Sequence, residues 1–150
     1  MSKQQLQEEL KQSMLARDEL KTSVLRMLIS AIGYFEIQKG GAGYIATEDD
    51  ILFVTEKQAK QRRESIDQFK KASRYDLADK EEKELEILKT YMPEQMSDEK
   101  LREEIKKNIL ETGAKTVADM GRVMSILVAK LKGQADMTKV SRILKEELSK

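Results

Sequence analysis

The sequence predicts an all-α protein built as two lobes. Three observations carry this. Only one proline stands among the 150 residues, and aromatic residues make up only 5%. The chain is also rich in Leu, Lys, Glu and Gln, and its apolar residues recur at three- and four-residue spacing, the mark of amphipathic helices.

Helix one is expected at about Lys3–Leu15, with Leu6, Leu10 and Met14 on one stripe. Helix two covers about residues 18–38, where Leu20, Val24, Met27, Leu28, Ala31, Ile32 and Phe35 make a wide apolar face. The segment KGGAGYIA, residues 39–46, breaks the pattern. Gly40 suits a left-handed helix end, and three glycines favour a mobile hairpin tip. Thr47 and Asp50 resemble a capping box, with Asp where Glu or Gln is preferred. Helix three then runs to about Lys71, residues 72–74 bend, and helix four spans about residues 75–90.

Pro93 lies in YMPEQM and marks the domain boundary, because the residue before a proline is pushed away from helical geometry. The expected organisation is an N-terminal four-helix lobe over residues 1–92, a hinge at 93–96 and a small three-helix C-terminal lobe at 97–150. Ser97, followed by Asp98 and Glu99, starts helix five, and Gly113 closes it. Thr116 opens helix six, with Asp119 at the capping-box position. Gly133 ends that helix, and Asp136 caps helix seven at about Met137–Leu148. No internal repeat is visible.

Charge narrows the function classes less than absences do. Lys and Arg number 28 and Asp and Glu 27, a net charge of +1. There is no overall bias toward nucleic acid, so any basic surface must be local. Residues 97–150 hold 12 basic and 9 acidic side chains, a balance of +3, against 16 and 18 in residues 1–96. The chain has neither Cys nor His. This removes Cys/His and Ser-His-Asp nucleophile systems, thiolate metal sites and imidazole acid–base chemistry. A carboxylate-only site stays open. Lack of disulfides is compatible with a reducing cytoplasm. The opening MSKQQLQEELKQ has no signal-peptide core, and no stretch approaches the roughly 20 apolar residues that span a bilayer. A soluble cytoplasmic protein without a membrane partner is expected.

Two blocks depart from a generic bundle. Along helix three the apolar stripe reads Ile51, Thr55, Ala59, Arg62, Ile66, Phe69, with Arg62 inside it. Along helix four it reads Leu77, Glu81, Glu84, Leu88, Tyr91, beside Leu85. A short bend implies antiparallel packing, which brings Arg62 against Glu81, Glu84 or both. Such a bridge need not add net stability but sets the register of two similar faces. The alternatives are a functional polar pocket or, for two carboxylates one turn apart, Mg²⁺. The outer face of helix three, with its bend, carries Lys57, Lys60, Arg63, Lys70, Lys71 and Arg74, with Glu56, Glu64 and Asp67 between them. It reads either as a phosphate contact or as a solvated face.

The second block is GRVMSILVAKLKGQAD, residues 121–136. Gly121 inside helix six costs about 1 kcal/mol against Ala unless another helix or a ligand approaches closely. Gly133 begins a tight connection, GQAD. Arg122, Lys130, Lys132 and Lys139 cluster around it, with Arg142 on the next helix. A compact module with this rim serves either as a nucleic-acid-binding knob or as a charged surface without a partner.

The segments KQRRESIDQFKKASRYDLADKEEKELEILKTYMPEQMS, GRVMSILVAKLKGQAD and VSRILKEEL resemble those of the GatB/YqeY family, YqeY-like proteins in particular, over nearly the whole chain. The resemblance implies a small, cytosolic, all-helical, two-lobed protein. Its C-terminal lobe would be similar to the tail domain of GatB, the subunit of a glutamine-dependent Glu/Asp-tRNA amidotransferase in which the tail contacts tRNA. Positions matching that tail are Gly121, Met124, Lys132, Gly133, Ala135, Asp136, Val140, Leu144 and Leu148. The chain departs from the full enzyme: it shows no ATP-binding loop, metal-ligand cluster or amidase serine–lysine site. No catalytic residue, metal or cofactor is therefore expected. The leading expectation is a non-catalytic accessory protein that binds tRNA or structured RNA through Gly121, Arg122, Lys130, Lys132, Gly133, Lys139 and Arg142. Two alternatives stand beside it. One is an adaptor receiving a protein partner at the inter-lobe cleft or the GGAGY tip. The other is amidotransferase-like (carbon–nitrogen ligase) activity expressed only with other subunits.

Overall fold

The computed structural model describes all 150 residues, and every regular element in it is helical. The chain divides into two compact units, Met1–Met92 and Pro93–Lys150. The first holds α1 (Lys3–Leu15), α2 (Glu19–Gly40), α3 (Glu48–Lys71) and α4 (Tyr75–Lys89). The second holds α5 (Asp98–Thr112), a 3₁₀ turn at Val117–Asp119, α6 (Met120–Lys130) and α7 (Met137–Leu148).

Caps fix where the helices of the first unit start. Ser2 and Gln5 close a reciprocal capping box on α1, Asp18 accepts from Lys21 N on α2, and Thr47 with Asp50 closes a second box on α3. Two helix ends turn on non-glycine residues in the left-handed region, Arg17 (φ 58°) after α1 and Ser73 (φ 57°) after α3. Both bends are short, so consecutive helices pack on each other, and α3 with α4 forms the most extensive pairing.

The core of this unit includes Leu6, Val24, Leu25, Leu28, Ile32, Ile51, Val54, Ala59, Ile66, Ala78, Leu85 and Leu88. Two methionines expected there are instead half exposed, Met14 and Met27, each at 50%. In α1 the adjacent Ser13 takes the inward place, its hydroxyl 2.9 Å from that of Thr22. In α2 the buried positions are Thr22, Val24, Leu25, Leu28, Ile32 and Glu36, because the helix packs on α1 as well as on α3 and α4. Leu25 therefore goes inside and Met27 turns out.

The glycine-rich segment also differs from expectation. The helix continues through Gly40, and Gly41 (φ 72°) ends it, its N–H donating to Ile37 O at 3.0 Å. Gly40 is needed for another reason: a Cβ there would lie 2.7 Å from the Tyr44 side chain. The tip is pinned, since Lys39 Nζ (2.5 Å) and Tyr44 Oη (2.6 Å) both donate to the buried Asp50 carboxylate. Glu36 ties the far side, accepting from Ala46 N (2.9 Å) and Lys3 Nζ (2.5 Å).

In the second unit Ser97 caps α5, and Gly113 (φ 69°) ends it in the left-handed conformation. The reciprocal Thr116–Asp119 cap bounds only the 3₁₀ turn, so α6 begins at Met120 and stops at Lys130, shorter than the periodicity suggested. Leu101, Ile105, Val123, Leu127, Leu131, Val140, Ile143, Leu144 and Leu148 make the core. No helix in either unit is long and apolar enough to cross a membrane.

Candidate nucleic-acid interface

The residues around the GQAD connection are positioned by backbone bonds. Gly133 is buried with φ 75°, a left-handed turn that glycine adopts without steric cost. Its carbonyl accepts from Gln95 Nε2 at 2.6 Å, and the Gln134 carbonyl accepts from Met96 N at 2.9 Å. The segment after Pro93 therefore straps the connection between α6 and α7. Asp136 then accepts from Thr138 N (2.9 Å) and starts α7.

The basic side chains reach solvent, but most already hold a partner. Arg122 Nη2 lies 3.6 Å from Asp119 Oδ1, one turn earlier. Lys139 pairs with Asp98 at the start of α5. The Lys139 ammonium holds the Asp98 carboxyl below its ordinary value, and Arg142 and Arg102 add to that attraction. Arg142 and Lys132 are exposed, and Lys132 also has an interaction of its own. Lys130 plays a different part. Its Nζ donates to Asn108 Oδ1 at 3.0 Å and lies 3.5 Å from Glu111. Asn108 is fully buried, and its Nδ2 donates to Glu104 O at 2.7 Å. Lys130 thus satisfies a buried amide that joins α5 to α6.

The seven candidates fall in separate places. Gly121 and Arg122 open α6, Lys130 closes it against the second half of α5, and Gly133 sits in the connection. Lys139 and Arg142 lie on the first half of α7, with Lys139 on the first residue of α5. Asp98 and Asn108 are ten residues apart on α5, about 15 Å along the helix. The close approach expected at Gly121 is not found: a Cβ there would meet nothing within 4 Å.

In the first unit Arg62 is 5% exposed, and its Nη1 donates to Glu81 Oε2 (3.1 Å) and to the buried Glu84. Of the outer basic cluster on α3, Lys70 pairs with Glu82 (2.5 Å) and Arg74 with Asp76 (3.3 Å). Lys57, Lys60 and Lys71 are exposed, while Arg63 is half buried. No group of three or more Asp or Glu is arranged to hold a metal ion.

Sequence reasoning missed the buried pair Ser13–Thr22 and three further buried polar anchors: Glu36, Asp50 in its role beyond capping, and Asn108. Asn108 carried a usable signal, since it stands at the i+7 position of Leu101 and the i+3 position of Ile105, on the buried stripe.

A sequence profile for "Yqey-like protein" matches residues 3–148. The chain belongs to the YqeY-like family. This YqeY-like chain is 34% identical over 93 residues to an uncharacterized protein of Schizosaccharomyces pombe, an alignment covering 62% of this chain and 73% of that one. It is 38% identical over 87 residues to "Altered inheritance of mitochondria protein 41, mitochondrial" of Vanderwaltozyma polyspora, and 37% identical over 87 residues to the protein of that name in Lachancea thermotolerans. Each of these alignments covers 58% of this YqeY-like chain and 46% of the relative, so the chain spans about half the length of the mitochondrial relatives it matches.

Proposed function

We propose that this YqeY-like protein is a non-catalytic RNA-binding accessory protein with tRNA as its ligand, and that the C-terminal unit makes the contacts. The observation that carries the reading is the strapped GQAD connection. Lys132 precedes, and Lys139 and Arg142 on α7 follow in sequence, a backbone held at two carbonyls by Gln95 and Met96. A fixed backbone presents these cations without the ordering cost that a mobile loop would incur on binding. The local balance of +3 in residues 97–150 points the same way, as does the likeness of residues 121–136 to a tRNA-contacting tail.

Three phosphate contacts give weak, salt-sensitive binding. The affinity for deacylated tRNA is expected to fall about 20- to 40-fold between 50 and 200 mM salt, from a slope near −0.7 to −0.9 per contact. The variant Lys132→Glu/Lys139→Glu/Arg142→Glu should lose that binding while keeping its helical content. Lys130 is left intact because its removal would strand Asn108. Absence of binding at 50 mM salt, or an unaffected triple variant, overturns the reading.

A second reading has one observation in its favour. Tyr34 and Ile37 lie one turn apart on α2 and are 70% and 66% exposed. Exposed large apolar side chains of this kind suit a protein partner. Capture of a partner that survives ribonuclease and is lost in Tyr34→Ser/Ile37→Ser would support an adaptor role.

A further inference from the structure

The buried guanidinium of Arg62 is only half satisfied. Nη1 donates to Glu81 and Glu84. Nη2 meets only the thioether sulfur of Met27, at 3.6 Å. Nε has no hydrogen-bond partner at all and is shut off from solvent. In a planar guanidinium the Nε–H and one Nη2–H point the same way and form the edge that takes a two-pronged oxygen acceptor. At Arg62 one end of this edge, Nη2, meets only a weak sulfur acceptor, and the other, Nε, has none.

The missing acceptor is best supplied by a neutral oxygen. Two glutamates already face one guanidinium, so another carboxylate or phosphate would add a second uncompensated negative charge to a buried place. A sulfoxide oxygen is neutral and strongly dipolar. Met27 is the residue whose sulfur already meets Nη2, and it is 50% exposed, open to a small oxidant.

We propose that Met27 is an oxidation site whose sulfoxide completes the hydrogen bonding of Arg62. The oxidant is a peroxide. A sulfur lone pair attacks one peroxide oxygen, the O–O bond breaks, and the other oxygen leaves as water after proton transfer. Sulfur is oxidised and the peroxide reduced. The new oxygen, one bond from Sδ, accepts from Nη2 and Nε together. Reduction by a methionine sulfoxide reductase restores the sulfide. Oxidation of a packed methionine ordinarily disrupts its surroundings. Here it relieves an unsatisfied buried donor, so the sign of the stability change is reversed.

Met14 provides the comparison. It is equally exposed and its sulfur lies 3.8 Å from Arg26 Nη2, but Arg26 is itself exposed and lacks no partner that water cannot supply. The test treats the whole protein with limiting hydrogen peroxide and follows each methionine by peptide mass spectrometry. Met27 should convert at a rate similar to Met14 and ahead of the half-buried Met92 and Met96. Thermal melting is then compared before and after oxidation in Met14→Leu, with Met14→Leu/Met27→Leu oxidised in parallel to subtract effects at other methionines. The expected result is a Tm rise of about 4 °C attributable to Met27, reversed by the reductase. A Met27 that stays unoxidised when Met14 has reacted overturns the proposal, as does a Tm that falls or does not move.

Discussion

Single polar side chains inside apolar stripes carry much of what distinguishes this protein from a plain helical bundle. Lys130 and Asn108 show how such a pair works. Asn108 is fully buried, and its amide nitrogen is satisfied by the Glu104 carbonyl of its own helix. Its amide oxygen has the Lys130 ammonium, 3.0 Å away on α6. An unsatisfied buried acceptor costs about 1–3 kcal/mol, whereas replacing both partners by apolar groups can be nearly neutral. Lys130→Met should therefore lower the unfolding free energy of the C-terminal unit, read from a denaturant titration, by about 1–3 kcal/mol, and Lys130→Met/Asn108→Leu should recover most of it. Equal losses in the single and double variants would show that the contact is incidental. The same logic explains why Arg62 stands out in the sequence and Asn108 shows only through its spacing from Leu101 and Ile105. A guanidinium within an Ile/Ala/Phe stripe is conspicuous because few groups are costlier to bury. An asparagine among Lys, Glu and Thr on α5 looks like one more surface residue until the helix phase is known.

Helix ends set the elements, and here the sequence was informative in proportion to how local the cause was. The caps at Thr47, Ser97 and Asp136 depend on contacts within three residues, and all three appear at those positions. The pattern does not show why Gly40 is needed, because its reason is Tyr44, a side chain that folds back from beyond the helix end. Met14 and Met27 depart from the expected core because a wide apolar face does not say which of its edges a neighbouring helix covers. The breaks between helices one and two and at residues 72–74 are legible, but the left-handed conformation of Arg17 and Ser73 is not, since neither is a residue type that favours such a turn. An L-residue in that region is strained by about 1–2 kcal/mol, part of which glycine returns through its freer unfolded state. Ser73→Gly, where the Ser73 N–H still reaches Lys70 O at 3.0 Å, should raise the melting temperature of the N-terminal unit by a few degrees. A lower melting temperature would mean that the bend between α3 and α4 is held by the hydroxyl rather than tolerated by the backbone.

Across the whole molecule, the ionisable groups shape the pH response through what is missing as well as what is present. No histidine or cysteine exists in the chain, so no side chain of ordinary pKa titrates between about pH 5.5 and 7. The shifted carboxyls all move downward and occur in both units. The Ala46 N–H and the Lys3 ammonium hold Glu36 below its usual range, and Lys39 with Tyr44 does the same for Asp50. In the second unit Asp98 is held down by Lys139, Asp119 by the backbone N–H groups of Lys115 and Thr116, and Glu147 by Lys150 and Arg102. A carboxyl whose folded pKa lies below its unfolded value contributes stability that is complete above the unfolded value and disappears as pH falls through the folded one. The unfolded values are 4.5 for Glu and 3.8 for Asp. Unfolding free energy measured by urea titration should therefore be flat from pH 5.5 to 7 and decline once the pH drops below about 4.5. Glu36 and Asp50 fasten the tip between α2 and α3, so exchange of the Ala46 and Thr47 amides should quicken, relative to the α3 interior, as that decline begins. A stability that climbs on acidification, or amides at 46 and 47 that stay as protected as the α3 interior at pH 3, would show that these carboxylates do not hold the tip.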